Sequence, residues 1–223
     1  MRPTFRRTPS PALLVAGLLA TLLLAPAAGQ AKTIDIAAAR LLPPDTVVTV
    51  DGSVSTPSGD FFSSFFDEGF GLQDRTGGLF VSMSTNLGLT VRQQARVTGT
   101  LADSGGLLIL VVADPATDVK VHGKGPKVTP IFVATGAIGE ATEGKIVQVV
   151  GTITGPVESD LPFGYKVFVD DGSGPIRVFV NLETGIDVSG LAAGQRVSVV
   201  GFSGQFIDYE IDPRFPSDIQ VQQ

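Results

Sequence analysis

From Thr33 onward apolar residues mostly alternate with polar ones, and glycine or proline breaks the runs at short intervals. Alternation is what a half-buried strand requires, because successive side chains point to opposite faces. Runs such as TVVTV at Thr46, GLFVSM at Gly78, IVQVV at Ile146, IRVFV at Ile176 and VSVVG at Val197 therefore read as strands. A helical period shows only briefly, in Thr33–Leu42 and Ala137–Thr142, each just ahead of a strand, and a short helix is expected within Gly185–Gly194. The class is all-β with minor short helices.

The strand pattern occurs twice. TVVTVDGSVSTP at Thr46 matches KIVQVVGTITGP at Lys145, with Gly52 over Gly151 and Pro57 over Pro156. LQDRTGGLFVSMS at Leu72 matches VDDGSGPIRVFVN at Val169, RVTGTL at Arg96 matches SVVGFS at Ser198, and DVKV at Asp118 matches DIQV at Asp218. The aligned glycines and aspartates are offset by 99, 97, 102 and 100 residues, in unchanged order. Such self-similarity marks a duplicated unit. Residues 32–123 form the first copy and 131–223 the second, joined by an exposed connector at 124–130 within GKGPKVTP.

Each unit starts with a strand carrying a mid-run glycine, expected where a long strand bends to serve two sides of a small barrel. A tight Asp-to-Gly hairpin follows at Asp74 and at Asp171, then a third strand, a variable segment and a last strand pair. This arrangement, carried best by FVDDGSGPIRVFV in the second copy, resembles the OB-fold nucleic-acid-binding family and the tandem OB-like modules of exported bacterial proteins. The resemblance implies two five-stranded Greek-key barrels that bind through the face of strands two and three and the flanking loops. Single-stranded DNA or RNA is the implied partner, with a glycan or a surface protein as the alternative. Neither a cofactor nor catalysis is implied.

Period two then sorts the second copy's face. Val167, Val169, Ile176, Val178 and Val180 point to the core, while Lys166, Phe168, Arg177, Phe179 and Asn181 point outward, next to Tyr165 at the strand start. Two cations beside two rings suit base stacking with local phosphate neutralisation. The competing expectation is that these rings pack against the other barrel. In the first copy the equivalent face offers Gly71, Gln73, Phe80, Ser82 and Ser84, with no basic partner. Its first loop, GDFFSSFFDEGF, instead crowds five of the chain's 14 Phe together, Phe61 and Phe65 among them. If exposed they form a ligand lip; the favoured reading is that several fill a barrel end or the seam between barrels.

Composition trims the remaining options. Residues 1–31 combine Arg2, Arg6 and Arg7, the apolar run ALLVAGLLATLLLA and a small-residue PAAGQA, the signature of a cleaved signal peptide. The run is shorter than the ~20 apolar residues of a spanning helix, which weighs against a retained anchor. Those three arginines leave with it, so the 16 basic residues fall to 13 against 22 acidic ones, a net charge near −9. Such a field opposes nonspecific duplex binding. With no cysteine and His122 alone, neither a zinc site nor a His-based triad can be assembled. Asp170 and Asp171 are assigned to the turn rather than to calcium, since no D-x-D-x-D-G loop is present.

Overall fold

The computed structural model describes residues 32–61 and 68–222. The expected leader and Phe65 lie outside them. Among the described residues, 33–124 build seven strands and two single-turn helices. These are β1 (Thr33–Ile34), α1 (Ile36–Ala39), β2 (Val47–Thr56), β3 (Glu68–Gln73), β4 (Gly78–Met83), β5 (Gln93–Ser104), β6 (Leu107–Val111), α2 (Pro115–Asp118) and β7 (Val119–Lys124). Residues 131–221 repeat the scheme with β8 (Ile131–Phe132), β9 (Ile146–Ile153), β10 (Glu158–Asp160), β11 (Gly164–Asp170), β12 (Ile176–Asn181), β13 (Arg196–Phe206), β14 (Asp208–Asp212) and β15 (Ile219–Val221). Single 3₁₀ turns at Thr135–Ala137 and Pro216–Asp218 stand where α1 and α2 stand in the first copy. No helix forms in 185–194; the helical turn lies just before, at Leu182–Thr184, and ends on Gly185 in the left-handed conformation.

Both sheets close on themselves. In the first, β2 pairs β3, β3 pairs β4, β4 pairs β6 in parallel, β6 pairs β5, and β5 returns to β2. In the second, the ring runs β9–β11–β12–β14–β13–β9, again with one parallel pairing, β12 with β14. Strand order 1-2-3-5-4-1 with that single parallel pair is the OB-type barrel. The mid-strand glycines sit where the first strand changes partner. β2 pairs β5 from Val47 to Ser53 and β3 from Ser53 onward, and a Cβ on Gly52 would come within 2.9 Å of the Gln73 carbonyl. Gly151 stands in the same relation to the Asp170 carbonyl, at 2.8 Å.

The Asp-to-Gly hairpins hold each barrel to the helical turn that precedes it. Asp74 Oδ1 accepts from the Thr76 and Gly77 amides, and its Oδ2 accepts from the Ile36 amide at the start of α1. Asp171 accepts from the Ser173 amide and hydroxyl and from Thr135 in the equivalent turn. Both carboxyls are held below the usual range, Asp74 against the opposing push of its partial burial and Asp171 chiefly by the Ser173 and Thr135 hydroxyls. These aspartates are structural, as the turn reading expects.

Each barrel has its own aliphatic core, around Val50, Leu72, Val81 and Val97 in the first and Val149, Val167, Val178 and Val199 in the second. A third apolar cluster joins them. Phe61, Phe80, Leu107 and Ile109 from the first barrel meet Ile146 and Phe202 from the second, with ring centroids 6.0–6.5 Å apart. Gly78 and Gly144 lie back to back across this seam, so close that a Cβ on Gly78 would fall 1.9 Å from the Gly144 carbonyl oxygen. Polar contacts flank it: Ile146 N donates to Gln73 Oε1, Arg214 to the Ser55 carbonyl, and Arg40 to the buried Glu143. Burial pushes the Glu143 carboxyl up, against the pull of Arg40.

Candidate nucleic-acid interface

The seam uses unlike faces of the two barrels. The first contributes β4 and β6, and the second contributes the outward residues of β9 and β13. β4 is consequently buried at every position, whereas β12 alternates between buried and partly exposed. The face named by period two is thus covered in the first barrel and open in the second. Phe80 and Phe61, both candidate ligand contacts from the sequence, are only 2 % and 5 % exposed because they fill the seam. For Phe61 the favoured seam reading holds over the ligand lip, and for Phe80 the expected outward ligand contact is corrected.

On the second barrel the face is built by cross-strand pairing. Register sets Lys166 opposite Phe179 and Phe168 opposite Arg177, so the two rings and two cations alternate in a checkerboard on adjacent strands. Val167, Val169, Ile176, Val178 and Val180 face the core, as period two requires. Neither Phe168 nor Phe179 enters the seam. Tyr165 departs from the expected group. It has the parity of Val167, packs on the barrel core, and lines a separate open cavity of about 550 Å³ with Val180, Asn181 and Ile186.

The cations are already partnered. Lys166 Nζ lies 2.8 Å from Asp160 on β10, and Arg177 Nε donates to Glu210 Oε2 on β14 at 2.7 Å. Arg177 Nη2 also donates to the Phe206 and Asp208 carbonyls, at 2.8 and 3.2 Å. Asn181 donates to Asp212 Oδ1. Burial pushes the carboxyls of both Glu210 and Asp212 up; Arg177 opposes the push on Glu210, and the nearby Glu210 adds to the push on Asp212. The two cations thus lie among four acidic side chains, Asp160, Asp208, Glu210 and Asp212. The face is therefore no basic patch.

Sequence reasoning missed these acids, although DYEID at 208–212 places Asp208, Glu210 and Asp212 on one side of a strand by period two. What it lacked was the parallel neighbour: only the β12–β14 pairing brings that side against Arg177. Beside Arg177 a second cavity of about 390 Å³ opens between Phe168, Pro175, Ile138 and Tyr209. Among the described residues, no helix is long and apolar enough to cross a membrane.

No protein-family model matches the chain, and neither does any curated protein. Solved structures do show likeness. An OBody bound to hen egg-white lysozyme is 27 % identical over 44 % of this chain and 96 % of its own, with a TM-score of 0.33. Fission yeast Pot1 with single-stranded DNA is 12 % identical over 87 % of this chain and 88 % of its own, at 0.38. A replication protein A heterotrimer bound to single-stranded DNA is 15 % identical over 82 % of this chain and 51 % of its own, at 0.35. The OB-type assignment rests on the closed strand order above, and these likenesses stand beside it.

Proposed function

We propose that this chain is an exported, non-catalytic binding protein whose second barrel holds single-stranded nucleic acid across β11 and β12. One observation carries the reading: Phe168 and Phe179 stand part-exposed on adjacent strands, each directly opposite a cation, on a face the other barrel leaves open. Flat rings spaced this way are stacking platforms for successive bases. Binding is favoured over catalysis because the polar groups of the face are committed to holding it together, Lys166 to Asp160, Arg177 to Glu210 and Asn181 to Asp212. The apolar leader supports export. The first barrel acts as the support that seats the second.

Because both cations are already paired, stacking carries most of the affinity. At most two phosphates find a cation, which limits the slope of log affinity against log salt to about −1.4. Fluorescence anisotropy with labelled oligonucleotides at about 50 and about 200 mM salt tests this, with an expected loss of about sevenfold or less. No binding at the lower salt refutes the proposal. The carboxylates of Asp160, Asp208 and Glu210 around the rings favour a neutral glycan as the second reading, since sugar hydroxyls donate to carboxylates while the ring stacks. A glycan would bind without salt dependence.

A further inference from the structure

The cavity beside Arg177 has more chemical definition than a stacking surface needs. Its volume of about 390 Å³ is at the small end for ligand sites and suits one ring system. Phe168 and Tyr209 supply aromatic wall, and Ile138 and Pro175 add apolar surface. Its charged edge is made by Arg177 and Asp208, which reach it from β12 and from the start of β14, beside the hydroxyl-bearing Thr135 and Tyr209.

Arg177 is pinned by three hydrogen bonds, through Nε to Glu210 and through Nη2 to the Phe206 and Asp208 carbonyls. Nη1 is left over. Its nearest acidic oxygen, Asp208 Oδ2, lies 3.9 Å away, beyond hydrogen-bond reach, and Nη1 donates to nothing else among the described residues. The Asp208 carboxylate is 81 % exposed, and neither of its oxygens accepts a hydrogen bond among the described residues. Arg177 and Asp208 therefore present one held donor beside two carboxylate oxygens that accept no hydrogen bond among the described residues. An immobilised guanidinium loses little further rotamer freedom when a ligand arrives.

Resting on the nucleic-acid reading above, we infer that this cavity is a guanine-selective subsite. The Watson–Crick edge of guanine carries a carbonyl acceptor followed by a ring N–H and an amino group, the complement of one donor and two acceptors. Arg177 Nη1 meets the carbonyl, and the Asp208 carboxylate takes both N–H groups as a bidentate pair. Adenine and cytosine each offer the carboxylate a single amino group. Thymine offers one N–H and turns a second carbonyl toward the negative charge. The base enters with its phosphate directed away from the exposed Asp208 carboxylate, which repels it.

The test uses oligothymidine with a single central guanine, inosine, adenine or cytosine, binding the mature protein in the anisotropy assay. Loss of one good bidentate pair corresponds to roughly 5- to 150-fold in affinity. Guanine is expected to exceed adenine and cytosine by a factor in that range, with inosine, which lacks the amino group, falling between. In Asp208→Asn the guanine-to-inosine ratio is expected to drop to about one, because a carboxamide cannot accept twice. That variant sits on an exposed side chain, and the readout is a ratio within one protein preparation. Equal binding of all four sequences, or an unchanged ratio in Asp208→Asn, overturns the guanine subsite while leaving the nucleic-acid reading intact. Absence of binding to every oligonucleotide removes both.

Discussion

Replacing Gly78 by alanine isolates the contact that presses the two barrels together. Gly78 is absent from the positive-φ positions, so its own backbone accepts a side chain without strain. Taken alone, the change would stabilise by about 0.4–1 kcal/mol through the unfolded chain. The obstacle lies across the seam. The new Cβ would sit 1.9 Å from the Gly144 carbonyl oxygen, 2.5 Å from its carbon and 3.0 Å from the Lys145 nitrogen. Ordinary contact begins near 3.4 Å, leaving the oxygen 1.5 Å too close, and every opposing atom is backbone that cannot rotate away. Gly144 itself is held at φ +79° with its N–H bonded to the Ser203 carbonyl. The barrels must therefore part locally, which strains the Gln73–Ile146 bond and the Arg40–Glu143 bond across the seam. Overpacking costs about 1–3 kcal/mol and each lost hydrogen bond about 1, so the net destabilisation is about 2–4 kcal/mol. Urea unfolding followed by far-UV circular dichroism measures it against Gly155→Ala, where no atom lies within 4 Å of the new Cβ. If the two variants differ by less than about 0.5 kcal/mol, the seam is not held by this contact and the reasoning fails.

Three further outcomes are expected. Asp74→Ala removes the acceptor of the Ile36, Thr76 and Gly77 amides and should cost about 1–2 kcal/mol in thermal unfolding at neutral pH. Because that carboxyl is held below its ordinary value, its contribution is present above the unfolded carboxylate range and fades as pH falls through the folded value, so wild type and variant should converge in acid. Asp60 behaves oppositely: burial, partly offset by Arg214 and reinforced by Asp218, pushes it up to about 6. The folded state keeps a proton that the unfolded state releases, so stability should fall as pH rises from about 4 to about 6. Asp60→Asn should flatten that segment of the stability curve by roughly 1 kcal/mol, discounted because the carboxyl is about half exposed; an unchanged slope would contradict the assignment. Phe168→Ala and Phe179→Ala should each weaken oligonucleotide binding by about 1–3 kcal/mol in the anisotropy assay, and equal binding by wild type and both variants would show that the rings do not stack bases.

Local chemistry made much of the fold legible. Alternation named the strands, and Gly52 and Gly151 marked where the first strand of each barrel changes partner. The DRTG and DGSG turns were readable because an aspartate two residues before Ser or Thr bonds its own backbone. Parity also gave the outward set Lys166, Phe168, Arg177 and Phe179, since every second residue in a strand shares a face. Parity says which way a side chain points and nothing about what lies beyond it. Phe80 points outward and is buried all the same, because the second barrel covers it. The ion pairs of Lys166 and Arg177 escaped for a related reason. Their partners lie on β10, too short to register as a strand, and on β14, whose neighbour is chosen by barrel closure between residues 33 apart. Tyr165 was misplaced because it opens its strand, where adjacency to the face was taken for membership of it.

The central claim is that the second barrel's open face, and not its covered counterpart, meets the ligand. Amide chemical-shift mapping of the isotope-labelled mature protein during titration with a single-stranded oligonucleotide tests it most directly. The account predicts shifts concentrated in β11 and β12, from Lys166 to Asp170 and from Ile176 to Asn181, and extending to Asp208, with β3 and β4 unmoved. Shifts centred on β3 and β4, or none at saturating oligonucleotide, would contradict it.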